Sequence, residues 1–447
     1  MNIREIACKI LKKMEHRRDI DGIEIYLQRS KSTTIEVKDK EVHALDIADD
    51  YGAAVRVLYK GKMGFSYSSD LSDDAIEKLC LRVMESTETV TKDDNYNLVM
   101  PLNGEYPDVA IFDERLRDIK EEEMIEKTME LEDAAMGYDS RIVKIRKGAA
   151  RFSDYDVVII NSSGLDIGYS GTLYSASITP VAEENGDTQM GDDFIICRFY
   201  DDFDLKKVGE NASKNAVELL GAKKINSMKI PVILSNIVSA EFLGILSPSF
   251  YGDNIIKGKS LLIGRDGTRI ISDRITIIDD GRLPDGMGSA PADDEGTPMK
   301  RKVLVKDGIL KSFLYDSYTA KSENRKSTGN GIRNGFKGVP GVGVTNLFIE
   351  RGEKNMASLI SQVEKGVYVN EVMGIHTADP ISGDFSVGIT GFFIEKGMFA
   401  YPIRESIISG NILDLFGSIE DVADNMRFIG RVGSPSLLSG NLSVSGN

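Results

Sequence analysis

Apolar residues recur at Ile3, Ile6, Ala7, Ile10, Leu11 and Met14, at intervals of three and four, which places them on one helical face that has to pack on something. Runs rich in β-branched residues follow: Ile23 to Gln28, Thr34 to His43 around the turn Lys38-Asp39-Lys40, Ala53 to Tyr59, and Met63 to Tyr67 joined through Lys60-Gly61-Lys62. Tight turns between such runs predict hairpins, hence an antiparallel sheet. Ser72 ahead of Asp73 and Asp74 predicts an N-cap with an acidic first turn, and Ile76, Leu79, Cys80, Val83 and Met84 continue a helical stripe. The first unit therefore reads α-β-β-β-β-α over residues 1–92.

Between Thr91 and Pro107 the periodicity vanishes and Asn, Asp, Lys and two prolines accumulate, which predicts a linker. A second α-plus-β unit is expected over 108–222. Its elements are an acid-rich helix from about Asp113, strands at Ile142 to Phe152, Val157 to Ile160 and Thr172 to Thr179, and a closing helix from Leu205 to Leu220 stopped by Gly221. The remainder, 228–447, is dominated by short strands with turns at Asp266-Gly267, Asp280-Gly281, Asp307-Gly308 and Lys396-Gly397. The expected class is α+β: N-terminal α/β modules with antiparallel sheets, then a larger β-rich C-terminal domain with a bent or barrel-like sheet.

Composition narrows the function. A net charge of −15 from 55 basic and 70 acidic residues repels phosphate backbones, so direct nucleic-acid binding is not expected. Apolar runs such as Ile230 to Leu234 are far too short to cross a bilayer, and the charged N-terminus does not read as a signal peptide. Three cysteines, Cys8, Cys80 and Cys197, without metal or redox spacing, fit a reducing cytoplasm.

Candidate chemistry is sparse. The histidines are His16, His43 and His376, each with an Asp three residues on, and no H-E-x-x-H motif occurs. His376 stands out because Gly374-Ile-His-Thr-Ala-Asp-Pro-Ile-Ser-Gly-Asp-Phe-Ser386 packs Gly, Pro, Asp, Ser and the His into one loop before the apolar strand Val387 to Ile394. It supplies the candidate catalytic residues His376, Asp379, Asp384 and Ser386, a set with the right residue types for acid–base or nucleophilic work but no demonstrated geometry. Gly258-Lys259-Ser260 misses the P-loop spacing by one residue, and the glycine-rich stretch from Ser327 to Gly343 never spells a dinucleotide fingerprint. That stretch could let another backbone approach closely, or could be a flexible cover. Gly329, Asn330, Gly331, Arg333, Gly383 and Phe385 are the candidate substrate-binding residues.

Several motifs resemble those of the TldD/PmbA family of gyrase modulators, and more closely its PmbA (TldE) branch. They are Gly52-Ala-Ala-Val-Arg-Val, Gly64-Phe-Ser and Ser69-Asp-Leu71, then Asn161-Ser-Ser-Gly164, Asp293-Asp-Glu-Gly296, Ser327-Thr-Gly-Asn-Gly-Ile-Arg333 and Thr345-Asn-Leu-Phe-Ile-Glu350. The most specific is Gly374 to Ser386. The resemblance implies a cytoplasmic peptidase system in which a TldD-type and a PmbA-type chain form a dimer around an internal cleft. The TldD branch carries H-E-x-x-x-H on a helix and a later Cys as metal ligands. Here the corresponding region, Val238 to Asp253, has no His, and no Cys follows Cys197. No metal ligand carries over, so the resemblance leaves any zinc to a TldD-type partner subunit and gives this chain no cofactor. It implies a subunit, in a heterodimer with a TldD-type paralogue or in a homodimer, that helps enclose an unfolded peptide. The alternative is a non-proteolytic acidic regulatory protein that binds a partner such as DNA gyrase.

Overall fold

The structure is a computed structural model describing residues 3–17, 19–102 and 104–446. Helix α1 (Ile3–Glu15) buries Ile6, Ala7, Ile10 and Met14, the face its spacing predicts. Strands β1 (Gly22–Lys38), β2 (Glu41–Tyr59) and β3 (Lys62–Ser68) form an antiparallel meander. Helix α2 (Asp73–Glu88) begins at Ser72, whose hydroxyl accepts the Ala75 N–H. Three long strands thus stand where four shorter ones are expected. The polar stretch Arg29 to Thr33 stays extended because its residues pair with β2 on one side and with a later strand on the other. Ladder hydrogen bonds hold it where apolar alternation fails.

The next elements are α3 (Glu121–Tyr138), β4 (Ile142–Asn161), β5 (Asp166–Glu184), β6 (Asp187–Met190), β7 (Asp193–Cys197) and α4 (Leu205–Glu218). The expected helix from Asp113 is instead a 3₁₀ turn, Glu114–Arg117, followed by α3. The runs Ile142 to Phe152 and Val157 to Ile160 are one strand, again bridged by a polar stretch paired on both sides. Strands β3-β2-β1-β4-β5-β6, with β7 also on β5, make one seven-stranded antiparallel sheet curved into a half-barrel. The ladder between β1 and β4, from Glu24 opposite Asn161 to Val37 opposite Gly148, carries this sheet across the first two units. Helices α1 and α2 cover its outer face over Ile25, Leu27, Val55 and Val57, while α3 and α4 cover it over Ile35, Phe152 and Tyr174.

The C-terminal part contains β8 (Met228–Leu234), α5 (Asn236–Leu246), β9 (Ile277–Asp280), β10 (Arg301–Lys306), β11 (Ile309–Leu310), β12 (Gly331–Ile332), β13 (Gly341–Val342) and β14 (Leu347–Ile349). After them come β15 (Lys365–Met373), β16 (Asp384–Glu395), β17 (Met398–Asn411), β18 (Ile419–Val422), β19 (Arg427–Ile429), β20 (Val432–Ser434) and β21 (Leu437–Ser445). The order β17-β16-β15-β8-β21 closes through β17 with β21 into a five-stranded barrel, the barrel-like sheet that the sequence predicts. A second sheet runs β11-β10-β9-β14-β20-β19. Their shared core includes Val232, Leu234, Phe242, Ile277, Leu304, Val367 and Ile389. The turns at Asp307-Gly308 and Lys396-Gly397 have both residues at positive φ, as two-residue hairpin turns require.

The irregular segment after α2 does more than connect. Asp93 accepts the Tyr318 hydroxyl at 2.6 Å, Asn97 donates to the Ser317 carbonyl at 3.1 Å, and the Tyr106 hydroxyl donates to the Gly296 carbonyl at 2.9 Å. It straps the half-barrel to the C-terminal part. Gly52 of β2 contributes by its bareness, since a Cβ there would lie 2.2 Å from the Phe336 ring, which packs on the sheet at that point. No helix among the described residues is long and apolar enough to cross a membrane.

Candidate functional site

Pleating decides what the half-barrel presents inward. Tyr26 and Gln28 on β1, Tyr155 and Val157 on β4, and Tyr169 and Leu173 on β5 share one face, because Gln28 stands opposite Val157 and Val157 opposite Tyr169. Facing them are the loop Met287–Ala290, Asp294, Ile332, Arg333 and Arg431 of the C-terminal part, and the space between is a cavity of about 390 Å³. Gly171 leaves room for the wall, since a Cβ there would meet the Tyr155 ring at 2.4 Å.

Beneath this cavity lies a buried ionic network. The Arg56 guanidinium bridges Glu24 at 2.6 Å and Glu295 at 3.2 Å, and the other Glu24 oxygen takes Arg333 at 2.5 Å. Glu295 also accepts the N–H and the hydroxyl of Ser317, both at 2.7 Å. Asp293 accepts the Gly331 N–H at 2.9 Å, and Asp294 accepts the Arg333 N–H at 2.8 Å. Asn330 is fully buried, donating to Asp279 and the Gly343 carbonyl while its own oxygen accepts from Lys302. Burial raises the Asp293 carboxyl well above the usual carboxylate range, with Glu295 adding to it. Asp316 is pushed up to about 6, by burial first and then by Glu295. Apart from the Arg56 Nε, which is buried without a partner, the network's charged groups are paired across the seam, and such a network holds two surfaces in one register.

The candidate substrate-binding residues divide accordingly. Gly329, with φ of 75°, Asn330, Gly331 and Arg333 belong to this network, and Arg333 also lines the cavity. Gly383, with φ of 81°, and Phe385 lie elsewhere, at the start of the β15–β16 hairpin, where the Phe385 ring packs 4.8 Å from Phe242. The candidate catalytic residues sit on the same hairpin connection, facing solvent. His376 is exposed on the turn Ile375–Thr377, and the Asp379 carboxylate caps the next turn by accepting the Ile381 N–H. Asp384 accepts from the Asn411 amide at 2.9 Å, and Ser386 is exposed on β16 opposite Ser409. No hydrogen bond or ion pair among the described residues joins the His376 side chain to the other three.

A second cleft, of about 340 Å³, lies beside α5. The helix starts at Ser235, whose hydroxyl accepts the Val238 N–H, and it buries Val238, Phe242, Leu243 and Leu246. Glu241 lies on its open side with Glu371 of β15, Asp192, Asn236 and Arg427. Burial, and then Glu371, pushes the Glu241 carboxyl up to about 7. Between its ordinary value near 4.5 and about 7, Glu241 therefore binds more proton in the folded chain than in the unfolded one, and its contribution to stability falls as pH rises through that window. Glu241→Gln cannot ionise. Its unfolding free energy should match the parent's near pH 4.5 and exceed it at pH 8 by about 1–2 kcal/mol, allowing for solvent screening at a partly exposed group. Urea denaturation at the two pH values checks this, and equal gains at both would refute the assignment.

A half-barrel sheet docked on a closed five-stranded barrel, with cavities at the seam, defines a protein that can hold a ligand between its parts. Domain models of the PmbA/TldA metallopeptidases match it in three pieces: domain 1 over 23–87, the central domain over 114–220 and the C-terminal domain over 227–446. The chain belongs to the PmbA/TldD family. It is 30% identical over 417 residues to the uncharacterized protein MJ0231 of Methanocaldococcus jannaschii, covering 93% of this chain and 94% of the other. It is 27% identical over 461 residues to the metalloprotease PmbA of Escherichia coli O157:H7, covering 99% of each. The crystal structure of TldE from Thermococcus kodakarensis superposes with a TM-score of 0.90 at 23% identity, covering 99% of this chain and 100% of that one.

The residues present do not fit the metal that a metallopeptidase implies. Among the described residues no group of three or more His, Cys, Asp or Glu side chains gathers as a metal site. The α5 cleft offers carboxyls but neither imidazole nor thiol, since the histidines lie at positions 16, 43 and 376 and Cys197 is a buried thiol pushed up to about 12. No step through a metal is derived for this chain.

Proposed function

We propose that this chain is the PmbA/TldE-type subunit of a cytosolic peptidase complex, pairing with a TldD-type paralogue and helping to enclose an unfolded peptide while the partner supplies the metal. The observation that carries the reading is the contrast around α5. The fold is kept throughout, with the helix capped and buried, yet its open face presents Glu241 among carboxyls with no His or Cys lining the same cleft. A free strand edge supports the enclosing role. From Glu41 to Gly52, β2 pairs among the described residues with β1 alone, leaving its other edge open beside exposed Val42, Ile47 and Tyr51, where an extended chain can add as a strand.

The test is cleavage of a labelled unfolded peptide by the purified chain alone, and then by its mixture with an H-E-x-x-x-H paralogue from the same source, with and without chelator. Cleavage is expected from the mixture, above that of the paralogue alone, and chelator abolishes it. Chelator-sensitive cleavage by this chain alone, or a paralogue whose rate and products are unchanged by mixing, overturns the proposal.

A further inference from the structure

The cavity between the half-barrel and the C-terminal part has an unusual electrical lining. Arg198 is 2% exposed, yet no carboxylate lies within ion-pair distance of it among the described residues. Its donors go to neutral oxygens: the Met287 carbonyl at 2.7 Å, the Thr172 carbonyl at 2.9 Å, the Tyr155 hydroxyl at 3.0 Å and the Gly286 carbonyl at 3.4 Å. A buried guanidinium bonded only to dipoles has no carboxylate beside it to cancel its charge, and in a low-dielectric setting that charge acts on whatever enters the adjoining space.

The Tyr155 hydroxyl accepts from Arg198, so its own proton remains available, and within the described residues it donates to nothing. Tyr169 also lines the cavity, and its hydroxyl has no hydrogen-bond partner among the described residues. Arg431 stands exposed at the rim, close enough to act electrostatically on both Tyr169 and Asp294. The opposing charge is committed elsewhere, since Asp294 accepts from the Arg333 N–H and the Tyr26 hydroxyl, and Glu24 holds Arg333 and Arg56. Of the charged side chains that line the cavity, Arg333 is paired with Glu24 behind the wall, which leaves Arg198 and Arg431 against the single carboxylate Asp294, an excess of one positive charge. Val157, Leu173, Ile196, Met287 and Met299 supply the apolar part of the remaining wall, with Gln28 and Ser289 as its neutral polar members.

We propose that this cavity binds a carboxylate carried on an apolar body, its oxygens accepting from the Tyr155 and Tyr169 hydroxyls and from Arg431, over the buried charge of Arg198. One positive charge in excess and two phenol donors match a monoanion with two oxygens, and the volume falls at the small end of the roughly 300–1,000 Å³ typical of ligand pockets. Such a group occurs at the C-terminus of a peptide, which rests on the enclosing role proposed above, and on a free branched-chain acid, which does not.

Titration calorimetry on the full chain alone, with N-acetyl-leucyl-leucine, its C-terminal amide and 4-methylpentanoate, tests the proposal. The dipeptide acid is expected to bind about tenfold or more tighter than its amide, the difference that charge-assisted hydrogen bonds make. Tyr169→Phe and Arg431→Gln should each weaken the acid at least several-fold while leaving the thermal midpoint in place. These two are chosen because Tyr155→Phe would also strip a partner from Arg198. Tighter binding of the dipeptide acid than of 4-methylpentanoate assigns the pocket to a peptide terminus, and equal binding assigns it to a small acid. Equal affinity for acid and amide, absence of binding by either acid, or unchanged affinity in both variants overturns it. Because no paralogue enters this experiment, its failure leaves the cleavage test standing.

Discussion

Arg56→Met is expected to lower the unfolding free energy by about 3–5 kcal/mol, the loss that follows when one partner of a buried ion network is removed and the others keep their charge. Without the guanidinium, among the described residues Glu295 retains only Ser317 and Glu24 only Arg333, inside a region where all of these side chains are almost fully buried. The comparison variant is Arg29→Met. It breaks the Arg29–Asp49 pair, whose side chains are 39% and 49% exposed, and should change stability by about 1 kcal/mol or less. Urea denaturation measures both. Equal and small losses would mean that water reaches the network and that it does not lock the half-barrel to the C-terminal part.

Phe242→Ala should cost about 3–5 kcal/mol in the same measurement. Its side chain is fully buried at the centre of α5, its ring is 4.8 Å from Phe385, and neighbours from both C-terminal sheets surround it, so the vacated volume cannot collapse. Leu81→Ala, on the exposed side of α2, is the control, with an expected change of about 0.5 kcal/mol or less. A small loss at Phe242 would show that α5 is loosely held and could not orient Glu241 in its cleft.

Where one face of an element meets the core and the other meets water, the chain declared it. The buried residues of α1 and the cap of α2 follow from spacing and residue type alone. Strand length was hidden wherever apolar alternation stopped. Ser30 stands opposite Tyr155 and Ser32 opposite Ser153, so the inner face there is hydroxyl-bearing, and interstrand hydrogen bonds, which leave no hydrophobic pattern, hold the ladder. Part of the site had a visible signal. Glu24 interrupts Ile23 to Leu27 and Arg56 interrupts Ala53 to Val57, charges within apolar strands that ask for buried partners of opposite sign. Tyr155, Tyr169, Arg198 and Arg431 give none, because each is an ordinary residue until the half-barrel sheet and the facing C-terminal part bring them to one cavity. The loop from Gly374 to Ser386 stands out in the sequence by its composition, and its asparagine, aspartate and glycine partners account for its turns.

The ladder between β1 and β4 has a consequence for how the molecule is made. Synthesis delivers β1 more than a hundred residues before the strand it must pair with, since Glu24 meets Asn161 and Val37 meets Gly148. Until then the nascent meander keeps a fourteen-residue open margin, from Glu24 to Val37, of the kind that invites pairing with a neighbouring chain. Arg29, Lys31 and Glu36 lie on that margin, and charges so placed oppose pairing with a neighbouring chain. The same side chains that blur the strand in the sequence thus guard it on the ribosome.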